Sequence, residues 1–279
     1  MKSNINVEKS SQEVIDFMEN DSVKFEILER KELKGSDSID SASQLFFIQN
    51  ANIKLKTARI VLKNSSVTLE SGSLYYLKGD IDMESKVGGA KGLGKKLFNK
   101  ATTGEKMFKP TYTGTGEIVL EPTFGHYALI ELDNEEIIVD DGCFYACESS
   151  IEVGAAPMKN ISSALLGNEG FIQTKLSGKG IVLLEVPVPG EEIIEYELNN
   201  DTLKVDGNFV VLRSGNIDFS VQKAGKSILG SATSGEGFLN VYSGKGFLWL
   251  LPTKAIYKRL TQAGLRNQTN PGGKSNTKD

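Results

Sequence analysis

An all-β protein of three tandem β repeats, arranged as a pseudo-threefold barrel or sandwich, is the fold this sequence predicts. Three observations predict it. From Gln44 to Leu251 the chain is mostly short apolar alternations punctuated by glycine, which supplies 29 of the 279 residues. Glycine at that frequency without a three-residue period marks turns rather than collagen. Two separate phrases then recur in the same order three times, and a fixed period of that size marks a repeat architecture.

The first phrase is an apolar alternation ending in an acid or serine and glycine, followed by Ile, an acid and an apolar residue. It reads Val67-Thr68-Leu69-Glu70-Ser71-Gly72 continuing to Ile81-Asp82-Met83. It returns as Ile137-Ile138-Val139-Asp140-Asp141-Gly142 continuing to Ile151-Glu152-Val153, and as Leu203-Lys204-Val205-Asp206-Gly207 continuing to Ile217-Asp218-Phe219. Turn signals sit at the same place in each: Lys78-Gly79-Asp80, Glu148-Ser149-Ser150 and Ser214-Gly215-Asn216. The second phrase is Gly-x-Gly opening a β-rich run: Gly114-Thr115-Gly116, Gly178-Lys179-Gly180 and Gly244-Lys245-Gly246. Glycine supplies the positive φ that turns require, so each phrase reads as a hairpin. A unit of roughly 65 residues leaves strand edges exposed, which three copies can cover.

The flanks are read in chain order. Ser10 with Glu13 resembles a capping box and Val14 with Met18 falls at i, i+4, which predicts a short helix over 11–19. Val23, Phe25 and Ile27 alternate with polar residues and predict a strand. Residues 34–43 are rich in Ser and Asp and read as a loop. Residues 1–44 thus form an N-terminal extension, 45–253 the three-repeat domain (about 45–112, 113–176 and 177–253), and 254–279 a C-terminal helix, reaching Leu260, with a flexible polar tail.

Charge and composition exclude several classes. Lys plus Arg total 32 against 36 acids, a net charge of −4, which argues against a nucleic-acid footprint. Residues 1–20 are polar, unlike a signal or transit peptide. No window approaches the roughly 18 apolar residues that cross a bilayer, so a cytoplasmic protein is expected. Cys143 and Cys147 lie four residues apart in a predicted strand. Their Cα atoms would be about 13 Å apart, beyond disulfide reach, and two thiols without a nearby His fall short of a zinc site.

The Gly-rich phrases, the Gly-Gly-Ala-Lys-Gly-Leu-Gly stretch at 88–94, and the Gly-Glu-Gly-Phe and Ser-Gly-Lys-Gly runs at 235–238 and 243–246 carry a family likeness. Over about residues 45–253 the chain resembles a bacterial member of the mitochondrial biogenesis family of altered-inheritance-of-mitochondria protein 24. That resemblance implies a fold like the trp RNA-binding attenuation protein, with three β repeats about a pseudo-threefold axis. It implies no catalytic residues and no cofactor. Tryptophan and RNA binding do not follow, because function lives in sites rather than folds.

The sharpest local feature is the Lys-rich segment 86–109, with seven lysines against Glu105. Gly89 to Lys96 nearly spells a P-loop, but Lys96 stands where a Mg²⁺-binding Ser or Thr is needed. A short helix over 92–100 would put Leu93 and Leu97 on one side, making Lys91, Lys95, Lys96 and Lys100 the candidate anionic-surface residues. The competing reading is a solvated connection between repeats; the counterparts Ile161–Gly167 and Ile228–Gly230 carry no charge. His126 is the sole histidine and reads as structural. Glu131, Asp133, Glu135, Glu136, Asp140 and Asp141 lack calcium-loop spacing and read as solvated turns. Trp249, in an apolar run, reads as core or subunit interface.

Three functional expectations follow. The first is a non-enzymatic binding or scaffold protein that forms a homo-oligomer, without specific nucleic acid. The second is an accessory protein at an anionic membrane surface, using segment 86–109. The third is a small-molecule or metal-dependent enzyme in an inter-repeat cleft, using the acids at 131–141.

Overall fold

The computed structural model describes residues 12–84, 109–156, 173–223 and 238–263. Thirteen strands run in chain order: β1 (Gln12–Glu19), β2 (Val23–Arg30), β3 (Lys56–Leu69), β4 (Leu74–Glu84), β5 (Thr111–Leu120), β6 (His126–Val139), β7 (Phe144–Glu148), β8 (Ile151–Ala156), β9 (Gln173–Val186), β10 (Ile194–Asp206), β11 (Val210–Ser214), β12 (Ile217–Lys223) and β13 (Phe238–Leu250). Two α-helices accompany them among the described residues, α1 (Ile39–Asn50) and α2 (Lys254–Ala263). The all-β class holds. Strands β1 to β9 belong to one compact unit and β10 to β13 to a second.

Each Gly-x-Gly strand lies between two partners. β5 pairs antiparallel with β3 on one side and β4 on the other. β9 pairs with β6 and with β7 and β8, and β13 with β10 and with β11 and β12. The registers coincide: Ile81 faces Gly114, Ile151 faces Gly178, and Ile217 faces Gly244. The two recurring phrases are therefore cross-strand partners, which the sequence reading did not foresee. It expected each phrase to be its own hairpin. Strands β3 and β4, consecutive in the chain, instead flank β5.

That order forces a bend. Leu69 N–H donates to Pro110 O, and Ser73 O accepts from Glu121 N–H at 2.8 Å. A straight strand from 110 to 121 would span about 36 Å, whereas the link from 69 to 73 reaches at most about 14 Å. β5 must fold back over itself, and it does so at its glycines. Gly114 has φ +148°, and a Cβ there would lie 2.0 Å from Asp80 O. Gly178 and Gly244 meet Ser150 O and Asn216 O in the same way, at 2.6 and 2.5 Å. Only a residue without Cβ fits.

The outer strand turns the same corner by a bulge. The register of β3 on β5 slips by one residue between Leu62 and Ser65, that of β6 on β9 between Asp133 and Glu135, and that of β10 on β13 between Asn199 and Asp201. Each bulge holds an asparagine with positive φ: Asn64 at 51°, Asn134 at 58° and Asn200 at 55°. Asparagine tolerates this region better than other side chains bearing a Cβ. The extra residue also flips the side-chain phase. Buried Leu62 is followed by buried Val67 five residues on, and Leu132 by Ile137; Leu198 is followed by Leu203, which packs on the second unit's core. Both halves of each bent strand thus point apolar residues inward. Phe25, Ile60, Leu62, Leu69, Ile118 and Leu183 lie in the first unit's core; Leu198, Ile217, Tyr242 and Leu248 lie in the second unit's.

Several expectations change. Residues 12–19 are strand β1, paired with β2 from Gln12↔Arg30 to Glu19↔Lys24, so the predicted helix over 11–19 is absent; the β-sheet partner overrides a weak capping signal. The Ser/Asp-rich loop at 34–43 gives way to α1 at Ile39, where Ser38 and Ser41 form the reciprocal cap. The expected barrel does not close: the first unit's strand path runs β1-β2-β3-β7-β9-β6, with β1 at its end. The predicted turn at Lys78–Asp80 is continuous strand, because Gly79 faces Gly116 and the chain crosses without a side-chain clash. In the other two sets the strand does break, and a side chain replaces the lost ladder partner. Glu148 Oε1 accepts from Ile181 N–H at 2.8 Å, and Ser214 Oγ from Phe247 N–H at 3.2 Å. The predicted strand over 23–27 and the helix after Pro252 are present as β2 and α2.

Gly178→Ala is expected to cost about 2–4 kcal/mol, since it adds both strain and a backbone clash. Gly154→Ala, where nothing lies within 4 Å, should change stability by under about 0.5 kcal/mol. Urea unfolding of the two variants checks the contrast.

Candidate functional site

The Lys-rich segment and its candidate residues Lys91, Lys95, Lys96 and Lys100 lie outside the described residues. Lys109, at the segment's end, is described and mostly covered: it pairs with Glu70 and stands 5.0 Å from the Phe144 ring centroid. Its charge is used inside the fold.

The acids at 131–141 do not converge. Asp133 pairs with Lys179 at 2.8 Å and Glu136 with Lys175 at 2.6 Å, both across β6 and β9. The hydrogen bond from Lys179 holds the Asp133 carboxyl below its ordinary range. Asp133-Asn134 was expected to be a hairpin turn and is the β6 bulge. Asp140 is buried, whereas Glu131 and Glu135 are exposed. Among the described residues no three His, Cys, Asp or Glu side chains are brought together as a metal site would need. His126 opens β6, half-buried, opposite Val186.

Other titratable groups serve structure. Cys143 and Cys147 are buried thiols outside any disulfide, and burial, aided by the charge of Glu148, pushes the Cys147 thiol well above its ordinary value. Burial likewise raises Tyr127 and Tyr145, whose rings stand 5.5 Å apart. Trp249 is half-buried and donates from Nε1 to Glu195 at 2.9 Å. Its strand is paired on both sides, so it offers no edge to a second chain.

What remains open is apolar surface, which the sequence reading placed elsewhere. β1 hydrogen-bonds only β2 among the described strands and exposes Val14, Ile15 and Phe17, the last at 52 %. Among the described strands β4 pairs only with β5, and it exposes Tyr75, Tyr76, Leu77 and Met83. Helix α1 has no buried residue and exposes Ile39, Phe46 and Phe47, the last two with rings 5.6 Å apart. Gln49 Nε2 donates to Leu33 O and Lys54 Nζ to Lys31 O, so Lys31 and Lys54 stand at the end of α1 that carries the phenylalanines. On β2, opposite Phe17, Glu26 is buried between Arg59 (2.6 Å) and Lys24 (3.2 Å). Burial alone would raise its carboxyl; the hydrogen bonds from Arg59 and Lys24 outweigh that and hold it below its ordinary value.

A lowered carboxyl stabilises the fold above the unfolded value of 4.5 and loses that contribution as pH falls through the folded one. Glu26→Gln should cost about 1–3 kcal/mol near neutrality, and the wild-type advantage should shrink steadily below about pH 4.5. Urea midpoints measured from pH 7 to pH 3 check the sign.

Comparison with known proteins supplies the remaining context. The family profile described as mitochondrial biogenesis AIM24 matches residues 47–253. No curated protein matches. A crystal structure of a Streptococcus pyogenes protein is similar in fold, with a TM-score of 0.54 and 21 % identity, covering 75 % of this chain and 94 % of that one.

Proposed function

The chain belongs to the mitochondrial biogenesis AIM24 family, and on that premise we propose that it is a non-enzymatic binding or scaffold protein that self-associates, acting in the cytoplasm. A triplicated β module is the basis of this reading, with its glycines and asparagines committed to folding geometry. One observation carries it: the exposed apolar side chains at β1 and β4 lie on strands whose outer edges have no partner among the described residues. An open edge is a template for another chain. The buried Glu26 and the mostly covered Lys109, by contrast, are spent on internal pairs. Multi-angle light scattering across a concentration series is expected to give a mass above that of one chain. A strict monomer at every concentration removes self-association.

Helix α1 favours a second reading, an accessory role at an anionic membrane surface. A 12-residue helix without a buried residue is marginal in water, and Phe46 and Phe47 beside Lys31 and Lys54 suit the headgroup boundary. Among the described residues no helix is long and apolar enough to cross a membrane. Flotation with phosphatidylglycerol vesicles is expected to carry the wild type. It should fail for Phe46→Ser with Phe47→Ser, and weaken for Lys95→Glu with Lys96→Glu. Equal behaviour of all three proteins removes the reading.

A further inference from the structure

We infer that the self-association proposed above, on which this inference rests, runs through β1, which pairs antiparallel with β1 of a second copy about a twofold axis between Ile15 and Asp16. The backbone points the required groups outward. Arg30 N–H bonds Leu55 O on the β3 side, so by strand alternation Glu29 faces β1 and its partner Glu13 faces β2. Val14 therefore faces out. Phe17 also faces out, because its N–H bonds the neighbouring Asp16 Oδ1 at 2.9 Å instead of β2.

Three constraints select one register. Hydrogen-bonded pairs need an outward residue on both strands, and placing Val14 opposite Phe17 of the second copy provides this twice by symmetry, each Phe17 N–H exchanging its bond to Asp16 Oδ1 for Val14 O of the other copy. The same register sets Gln12 opposite Glu19, Glu13 opposite Met18 and Ile15 opposite Asp16, so no like charges face each other. A shift of one residue either way sets outward positions against inward ones, and in one direction sets Asp16 against Asp16. The irregularity in β1 between Val14 and Asp16 falls on the axis, where both copies carry it and their spacing stays equal. Two of the three acids on β1 are already balanced, Glu13 by Lys31 at 2.8 Å and Glu19 by Lys24 at 3.5 Å. Lys24 also stands 4.6 Å from the Phe17 ring centroid, holding that ring at the edge. Within the same unit, the open apolar edge of β4 is less suited: at Gly79 it folds over β5, leaving five-residue runs on either side. Isologous pairing of this kind closes at two copies.

Two variants test the register. Val14→Pro removes only an outward N–H, which an edge strand tolerates, so the fold should keep its urea midpoint while the dimer dissociation constant rises at least about tenfold. In Val14→Cys with Phe17→Cys the new thiols would face each other across copies at Cα separations of about 5.5 Å, within disulfide range. Mild oxidation should then give a covalent dimer whose peptide map joins position 14 to position 17 of the second chain. A wild-type oligomer that survives Val14→Pro, with the paired cysteines staying reduced, overturns the β1 interface and leaves self-association standing. A monomeric wild type removes both.

Discussion

The close approach of a neighbouring backbone carbonyl to the Cα of a crossing glycine is the contact on which the rest of this structure depends. Asp80 on Gly114, Ser150 on Gly178 and Asn216 on Gly244 leave no room for a Cβ. Because the crossing is that tight, the middle strand can fold back within ten to fourteen residues and hold a partner on each side. The asparagine bulges are the matching device on the outer strand, where two residues stand opposite one of the middle strand at the corner. Without them the inward phase set by Ile60 and Leu62 would carry Ser66 and Thr68 into the core in place of Val67 and Leu69. Hydrophobic burial supplies the driving force, but glycine and asparagine decide which shape it can drive.

Much of this was legible in the chain. Both recurring phrases mark real elements, and their order is the order of the strands. What could not be read was which phrase pairs with which, because a glycine after an acid fits a hairpin turn as well as the corner between strands on opposite sides of a third. A further signal was present but hidden: Leu62-x-Asn64, Leu132-x-Asn134 and Leu198-x-Asn200, each followed by an apolar residue five positions after the leucine. It breaks the two-residue period that strand reading relies on, so it looks like noise until the bulge is known. The N-terminal segment misled for the opposite reason. Val14 and Met18 fit a helical spacing, but the edge of β2 offers eight residues a ladder that an isolated short helix cannot match.

The candidate functional residues fared differently from the fold. Lysines invite attention because charge clusters are visible in sequence, whereas exposure is not. The described apolar surface comes from residues that the sequence reading does not single out, such as Phe17, Phe46 and Tyr76. Meanwhile Lys109, Lys175 and Lys179, which look available, are each paired with a carboxylate, the last two across β6 and β9. The family match and the shared fold with the streptococcal protein agree with a molecule specified by its framework.

The strand order 3-5-4 also has a consequence for how the chain is made. β3 and β4 leave the ribosome before β5, the strand that must lie between them, and more than 25 residues separate the end of β4 from the start of β5. Until then β3 has only the earlier β2 to pair with, and β4 has no ladder partner among the described strands. Such non-local closure is slow compared with hairpin formation, and nascent strand edges are the species that chaperones meet. The same geometry that makes the finished corner rigid makes synthesis the vulnerable moment in the life of this protein.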